Sequence, residues 1–221
     1  MGLIPEGWEV TNLGKILDIK HGYAFKGEYF SKKQTNNILL TPGNFSIGGG
    51  FKEDKLKYYD GLIPNEFILN FGDLIITMTD LSKVGDTLGY PAFVPPSKKL
   101  QFLHNQRIGK IIINFKQSIG ANLLYYIFCS DLYRNHVLAT ATGSTVKHTA
   151  PDRIKAFKIA LPPKYICQQF ETITKIFQQK IICLKQKNSN LRQTRDLLLP
   201  KLISGEIDVE HLEITTEDIA A

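Results

Sequence analysis

Two textures of hydrophobic patterning divide the chain. From residue 1 to about 160, Gly, Pro, Asn or Asp interrupts the sequence every 8–12 residues, with short β-like runs between the breaks. These runs are Phe67–Asn70, Asp73–Met78, Ala92–Val94 and Gly109–Ile113. Turn residues at that spacing predict a mostly β domain with irregular connections. One helix is expected over Gly120–Asn135, where Leu123, Leu124, Ile127, Phe128 and Leu132 recur at steps of three and four. Ser31–Gln34 is too short to assign. A last strand, Phe157–Leu161, stops at Pro162-Pro163, which cannot donate to a ladder.

Beyond these prolines the period changes. Lys164–Leu199 contains neither Gly nor Pro, and Phe170, Phe177, Leu184, Leu191 and Leu198 recur every seven residues. Such a column predicts a helix that packs along one seam. Its second seam position is weaker, running Ile173, Lys180, Lys187, Thr194. A helix of this length is a rod of roughly 50 Å, too long to bury its seam on the preceding domain. An exposed Leu/Phe seam wants a partner helix. Pro200 should kink the helix or begin its unwinding, Gly205 suits a left-handed C′ position, and Glu206–Val209 alternates like an edge strand. The fold class expected is α+β: a mostly β domain with a few helices over 1–160, then a long coiled-coil helix and tail over 161–221. The chain has no internal repeat.

Composition adds a location and a charge map. No apolar run approaches the ~20 residues of a membrane span, and the N-terminus shows no secretory pattern. Cys129, Cys167 and Cys183 have no paired spacing, as expected of a reducing, cytosolic compartment. The net charge is +6. Residues 1–160 carry 19 Lys/Arg against 13 Asp/Glu, residues 161–201 carry 8 against 2, and residues 202–221 carry none against 6. The domain and the helix could face phosphate, whereas the acidic tail could not.

No catalytic constellation emerges. Leu161-Pro162-Pro163-Lys164 resembles the Pro-Pro loop of amino-methyltransferases only superficially. It lacks the polar first residue and the aromatic fourth residue that hold a flipped base. Gly48-Gly49-Gly50 has no downstream Lys-Ser/Thr for phosphate. A nuclease reading of Glu53-Asp54-Lys55 with Asp152 runs in reversed order inside a Lys-rich loop. The five histidines are scattered without ligand spacing.

Four loops combine basic, amide and small polar residues, the chemistry of phosphate and base-edge contact. They are His21–Gly27, Thr77–Asp86, Leu103–Gly109 and Ala141–His148. Lys26, Lys83, Arg107 and Lys147 are candidates for phosphate or guanine, with Thr79, Ser82, Ser144, Thr145 and His148 as shorter-range readers. Gly22–Lys26 and Asn105–Gly109 also read as structural turns, with Asn105 and Gln106 satisfying buried backbone groups.

The order of motifs resembles the specificity subunit of type I restriction–modification systems, in a half-length form. Ile4–Val10 with Leu13-Gly14, Gly22–Lys26, Asn105–Gly109 and Gly143–Thr145 resemble the target-recognition domain. Leu161–Pro163 before a Gln-rich helix, then Leu198–Ile207, resemble the helical spacer and its exit. The resemblance implies two recognition domains held apart by two antiparallel helices, each domain reading half of an interrupted DNA target. It implies no catalytic activity and no cofactor. S-adenosylmethionine would belong to docked methyltransferase subunits, and ATP to translocase–nuclease subunits. With one domain and one helix, this chain is expected to pair with a second copy through Phe170, Phe177, Leu184, Leu191 and Leu198. A methyltransferase or endonuclease fragment, and a coiled-coil adaptor without a DNA role, are the competing readings.

Overall fold

The computed structural model describes residues 3–114 and 119–210. Thirteen strands and four α-helices are assigned among them. The strands are β1 Glu9–Asn12, β2 Leu17–His21, β3 Phe30–Ser31, β4 Asn37–Leu39, β5 Tyr58–Tyr59, β6 Ile68–Leu69, β7 Leu74–Thr77, β8 Thr79–Asp80, β9 Pro91–Phe93, β10 Gln101–Leu103, β11 Ile108–Ile113, β12 Lys147–His148 and β13 Lys158–Leu161. The helices are α1 Ala121–Cys129, α2 Asp131–Thr140, α3 Pro151–Lys155 and α4 Lys164–Ile203. This is the expected α+β class. The chain divides into two compact units after Lys175, inside α4.

In the first unit, β2-β11-β7-β9 form an antiparallel sheet and β3-β5-β4-β10-β6 form a mixed one, with β4 and β10 parallel. Strand β7 explains their packing, because all four of its residues are buried. Successive side chains of a strand point to opposite faces. Accordingly Leu74 and Ile76 join Leu124, Phe128, Tyr133 and Val137 of α1 and α2 in one core. Ile75 joins Ile38 and Phe102 of the second sheet, with Leu40 just past β4, in another. Strand β1 pairs antiparallel with β13, Glu9 opposite Leu161, so the opening of the domain lies beside its exit to α4.

The helix expected over Gly120–Asn135 is two helices. Ser130 is extended at φ −72°, ψ 146°, and its Oγ accepts from the Tyr133 amide, which caps α2. The break resets the helical phase, so Leu132 is exposed while Tyr133 and Val137 are buried. Helix α4 also outruns expectation, continuing three residues past Pro200 to Ile203. Gly205, at φ +71°, ends it, its amide donating to the Leu202 carbonyl. Glu206–Val209 is not a strand. The Ile207 amide turns back to the Lys201 carbonyl, and Glu206 pairs with Lys201 at 2.7 Å.

The first turns of α4 are fastened within the first unit. The Glu171 carboxylate accepts from the Leu123 amide at 2.7 Å and from Asn122 Nδ2 at 3.0 Å, serving the orphan donors of α1. Phe170 is half-buried, edge-on to Tyr126 at 5.7 Å. Among the described residues no helix is long and apolar enough to cross a membrane.

Candidate nucleic-acid interface

The four polar loops, scattered through the sequence, lie side by side. Tyr23 of the first loop donates to the His104 carbonyl at 2.8 Å and accepts from the Gln106 amide at 3.0 Å. The Arg107 carbonyl of the third loop accepts from the Met78 amide at 2.9 Å. The Met78 carbonyl accepts from Thr149 at 3.0 Å, and His148 and Thr142 exchange backbone bonds at 2.8 and 2.9 Å. Backbone bonding therefore runs unbroken from the first loop through the third and second to the fourth. The order is legible only in three dimensions.

Two glycines permit the close approaches. A Cβ on Gly22 would stand 2.2 Å from the Asn105 carbonyl oxygen. Gly143 adopts φ +94°, and a Cβ there would meet the Val146 carbonyl at 2.0 Å. Neither position accepts a larger residue without moving backbone.

The second loop is held from both ends. Asp80, 5% exposed, accepts from the Ser82 amide at 2.6 Å, from Thr87 Oγ1 at 2.7 Å and from the Thr87 amide. Burial alone would raise its pKa, but the bonds from Ser82 and Thr87 outweigh it and hold the carboxyl below its ordinary value. Arg134 of α2 donates to the Gly85 and Leu88 carbonyls, with its guanidinium 4.7 Å from the Tyr90 ring centre. Sequence reading assigned no role to either residue. An Asp followed two residues later by Ser is a turn signal, but nothing local marks Arg134 as its counterpart.

The candidate readers divide by exposure. Lys26, Lys83, Arg107, Ser144, Thr145 and His148 are exposed, and Lys147 is half-buried. Lys26 stands 3.8 Å from Glu28. Thr79 is buried, its Oγ1 3.2 Å from His148 Nδ1 across the β8–β12 pair. Ser82 is half-buried, its Oγ accepting from the Asp86 amide at 2.8 Å. Thr79 and Ser82 thus shape the strip from behind. Asn105 closes its own turn, its Oδ1 accepting from the Arg107 amide at 3.0 Å. That is the structural role open to it in the sequence, while Gln106 is exposed.

Behind the strip, His104 is 1% exposed and donates from Nε2 to the Ile108 carbonyl at 2.9 Å. Burial pushes its pKa down to about 4, so it is a neutral core group. Asp152 pairs with Lys155 at 3.3 Å. Among the described residues no three His, Cys, Asp or Glu side chains gather as metal ligands.

The first unit thus gathers four polar and basic loops on an α+β scaffold, followed in sequence by a long helix. The chain belongs to the type I restriction modification DNA specificity domain family, whose model matches residues 5–193. It is similar to the type I restriction enzyme MjaIX specificity subunit of Methanocaldococcus jannaschii, 28% identical over 222 residues, covering 95% of this chain and 46% of that one. It is also similar to the Escherichia coli EcoBI specificity subunit, 22% identical over 220 residues, covering 98% and 43%. In fold it resembles the type I S subunit from M. genitalium, with TM-score 0.61 at 14% identity, covering 92% of this chain and 48% of that chain. The HsdS subunit from Thermoanaerobacter tengcongensis gives TM-score 0.50 at 16% identity, covering 93% and 47%. The chain spans less than half the length of these relatives.

Proposed function

We propose that this chain is the sequence-reading part of a type I restriction–modification complex and contacts double-stranded DNA through the four-loop strip. Its relatives are named specificity subunits, and it is accordingly a specificity component and not an enzyme by itself. The supporting observation is the strip: four loops up to more than a hundred residues apart, joined by continuous backbone bonding. A rigid row of this kind suits base-edge contact, which fails when donors and acceptors wander. Lys26, Lys83, Arg107 and Lys147 would meet phosphate or guanine, and Ser144, Thr145 and His148 would reach base edges. The chain would read one half of an interrupted target in the cytosol. A second copy, paired through α4, would read the other half of a palindromic site. Methyltransferase and restriction–translocase subunits would dock on this core, bringing S-adenosylmethionine and ATP to their own sites.

Equilibrium binding to a random-sequence duplex at increasing salt tests the reading. The unaltered chain binds at low salt and weakens as salt rises. Lys83→Glu and Lys147→Glu each weaken binding on every duplex and flatten the salt slope by about one. Affinity unchanged by both substitutions would remove the strip from the interface.

A further inference from the structure

The second loop of the strip carries two side chains that the fold does not use. Leu81 and Val84 are 63% and 69% exposed, and of the large apolar side chains in the four loops only these two are more than half exposed. Neither belongs to a core cluster. The turn does not ask for them either. The Gly85 amide donates to the Ser82 carbonyl at 3.2 Å, which makes Lys83 and Val84 the central pair of a four-residue turn. Such positions favour Gly, Pro, Asn, Asp or Ser, and a β-branched valine gains nothing there. Single exposed aliphatic residues are ordinary on protein surfaces. Two on one fastened turn are held out to solvent together, at a cost that no packing within the chain offsets.

The fastening is polar and comes from behind. Asp80 accepts from the Ser82 and Thr87 amides, the Ser82 hydroxyl accepts from the Asp86 amide at 2.8 Å, and Arg134 donates to the Gly85 carbonyl. Gly85 is buried at φ +72°, and a Cβ there would stand 3.2 Å from Leu138 of α2 and 3.6 Å from Lys147 of the fourth loop. The turn thus leans on α2 and on the fourth loop. Lys83 lies between the two apolar residues in sequence and Lys147 beside the turn, against one exposed carboxylate of the loop, Asp86. A polyanionic duplex suits that setting, and it offers an aliphatic side chain one apolar target. Base edges in the major groove are hydrogen-bond donors and acceptors except for the C5 methyl group of thymine. We propose that Leu81 and Val84 read thymine by packing against that methyl group in the major groove. This rests on the DNA-binding reading of the strip and specifies it: the recognised half-site contains at least one thymine, selected by shape and not by hydrogen bonding.

Deoxyuridine tests the proposal, because it lacks only the methyl group and keeps every hydrogen bond of thymine. Duplexes recovered by the unaltered chain from a random pool are remade with deoxyuridine at one thymine at a time. At one or more positions the unaltered chain should bind about fourfold more weakly, the effect of leaving one methyl-sized group unburied. The Leu81→Ala, Val84→Ala double variant should bind the thymine duplex more weakly than the unaltered chain does, and should bind the thymine and deoxyuridine duplexes equally. Its thermal unfolding midpoint should match that of the unaltered chain. Equal binding of every deoxyuridine duplex by the unaltered chain would overturn the proposal, as would a deoxyuridine penalty of the same size in the double variant. A lowered midpoint would give the two side chains a structural role and overturn it as well. Salt-dependent binding that Lys83→Glu weakens, with no deoxyuridine effect, would overturn thymine reading alone. Absence of any enrichment from the pool, with affinity indifferent to salt, would overturn the DNA-binding reading along with it.

Discussion

At the residue scale, the four-loop strip is shaped by side chains that are buried or half-buried. Asp80 and Arg134 hold the loop bearing Lys83 from opposite ends, and Thr79 sets the ring of His148. His104 anchors the Asn105–Ile108 turn from below and carries a pH signature. Its folded pKa of about 4 lies below the ~6.5 of an unfolded histidine. Between these values the unfolded chain binds a proton that the folded chain does not, so stability declines as pH falls. The decline is complete near pH 4 and is on the order of 3 kcal/mol for this one group. The difference in urea stability between the unaltered chain and His104→Asn should therefore shrink as pH drops from about 6.5 to 4. A difference that stays constant over that range would show that His104 titrates normally in the folded state. The exposure of Lys26, Lys83 and Arg107 was legible from loop composition, because charged residues in turns face solvent. Arg134 was not, because its role follows from contacts with carbonyls 46 and 49 positions away.

At the element scale, period and punctuation carried most of the fold. The runs at Phe67–Asn70, Asp73–Met78, Ala92–Val94 and Gly109–Ile113 are strands β6, β7, β9 and β11, since alternation and turn residues act locally. Helix α4 announced itself through its heptads. The α1–α2 break was hidden because Ser130 suits a helix interior and an N-cap alike, and tertiary burial of Tyr133 decides between them. Pro200 does not end the helix: the turns before it already supply it, and Gly205 supplies the stop. The expected strand at Glu206–Val209 has no partner edge among the described residues, and a lone alternating segment cannot satisfy its own backbone. Glu171 links helices across the first unit by serving the N-terminus of α1. Glu171→Ala should cost about 1–2 kcal/mol, the range of a lost helix cap, read as a lower midpoint in thermal unfolding. An unchanged midpoint would mean that solvent serves those donors equally well.

At the scale of the whole molecule, the β1–β13 pair closes the recognition domain where it opens, so the domain is delivered to α4 as a unit. Family membership follows from a match over residues 5–193, while each relative is more than twice as long as the part it shares. The missing internal repeat was the feature of the sequence that pointed to a second copy. In the proposed function the strip would supply one reading surface, and pairing through α4 would supply two, related by a two-fold axis. Such an object would read inverted half-sites at a separation fixed by helix length. The most direct measurement is recovery and sequencing of duplexes bound by the purified chain from a random pool. The account predicts two inverted copies of one short motif separated by a constant number of unspecified base pairs. Recovered sequences indistinguishable from the starting pool, or a single motif without its inverted partner, would contradict it.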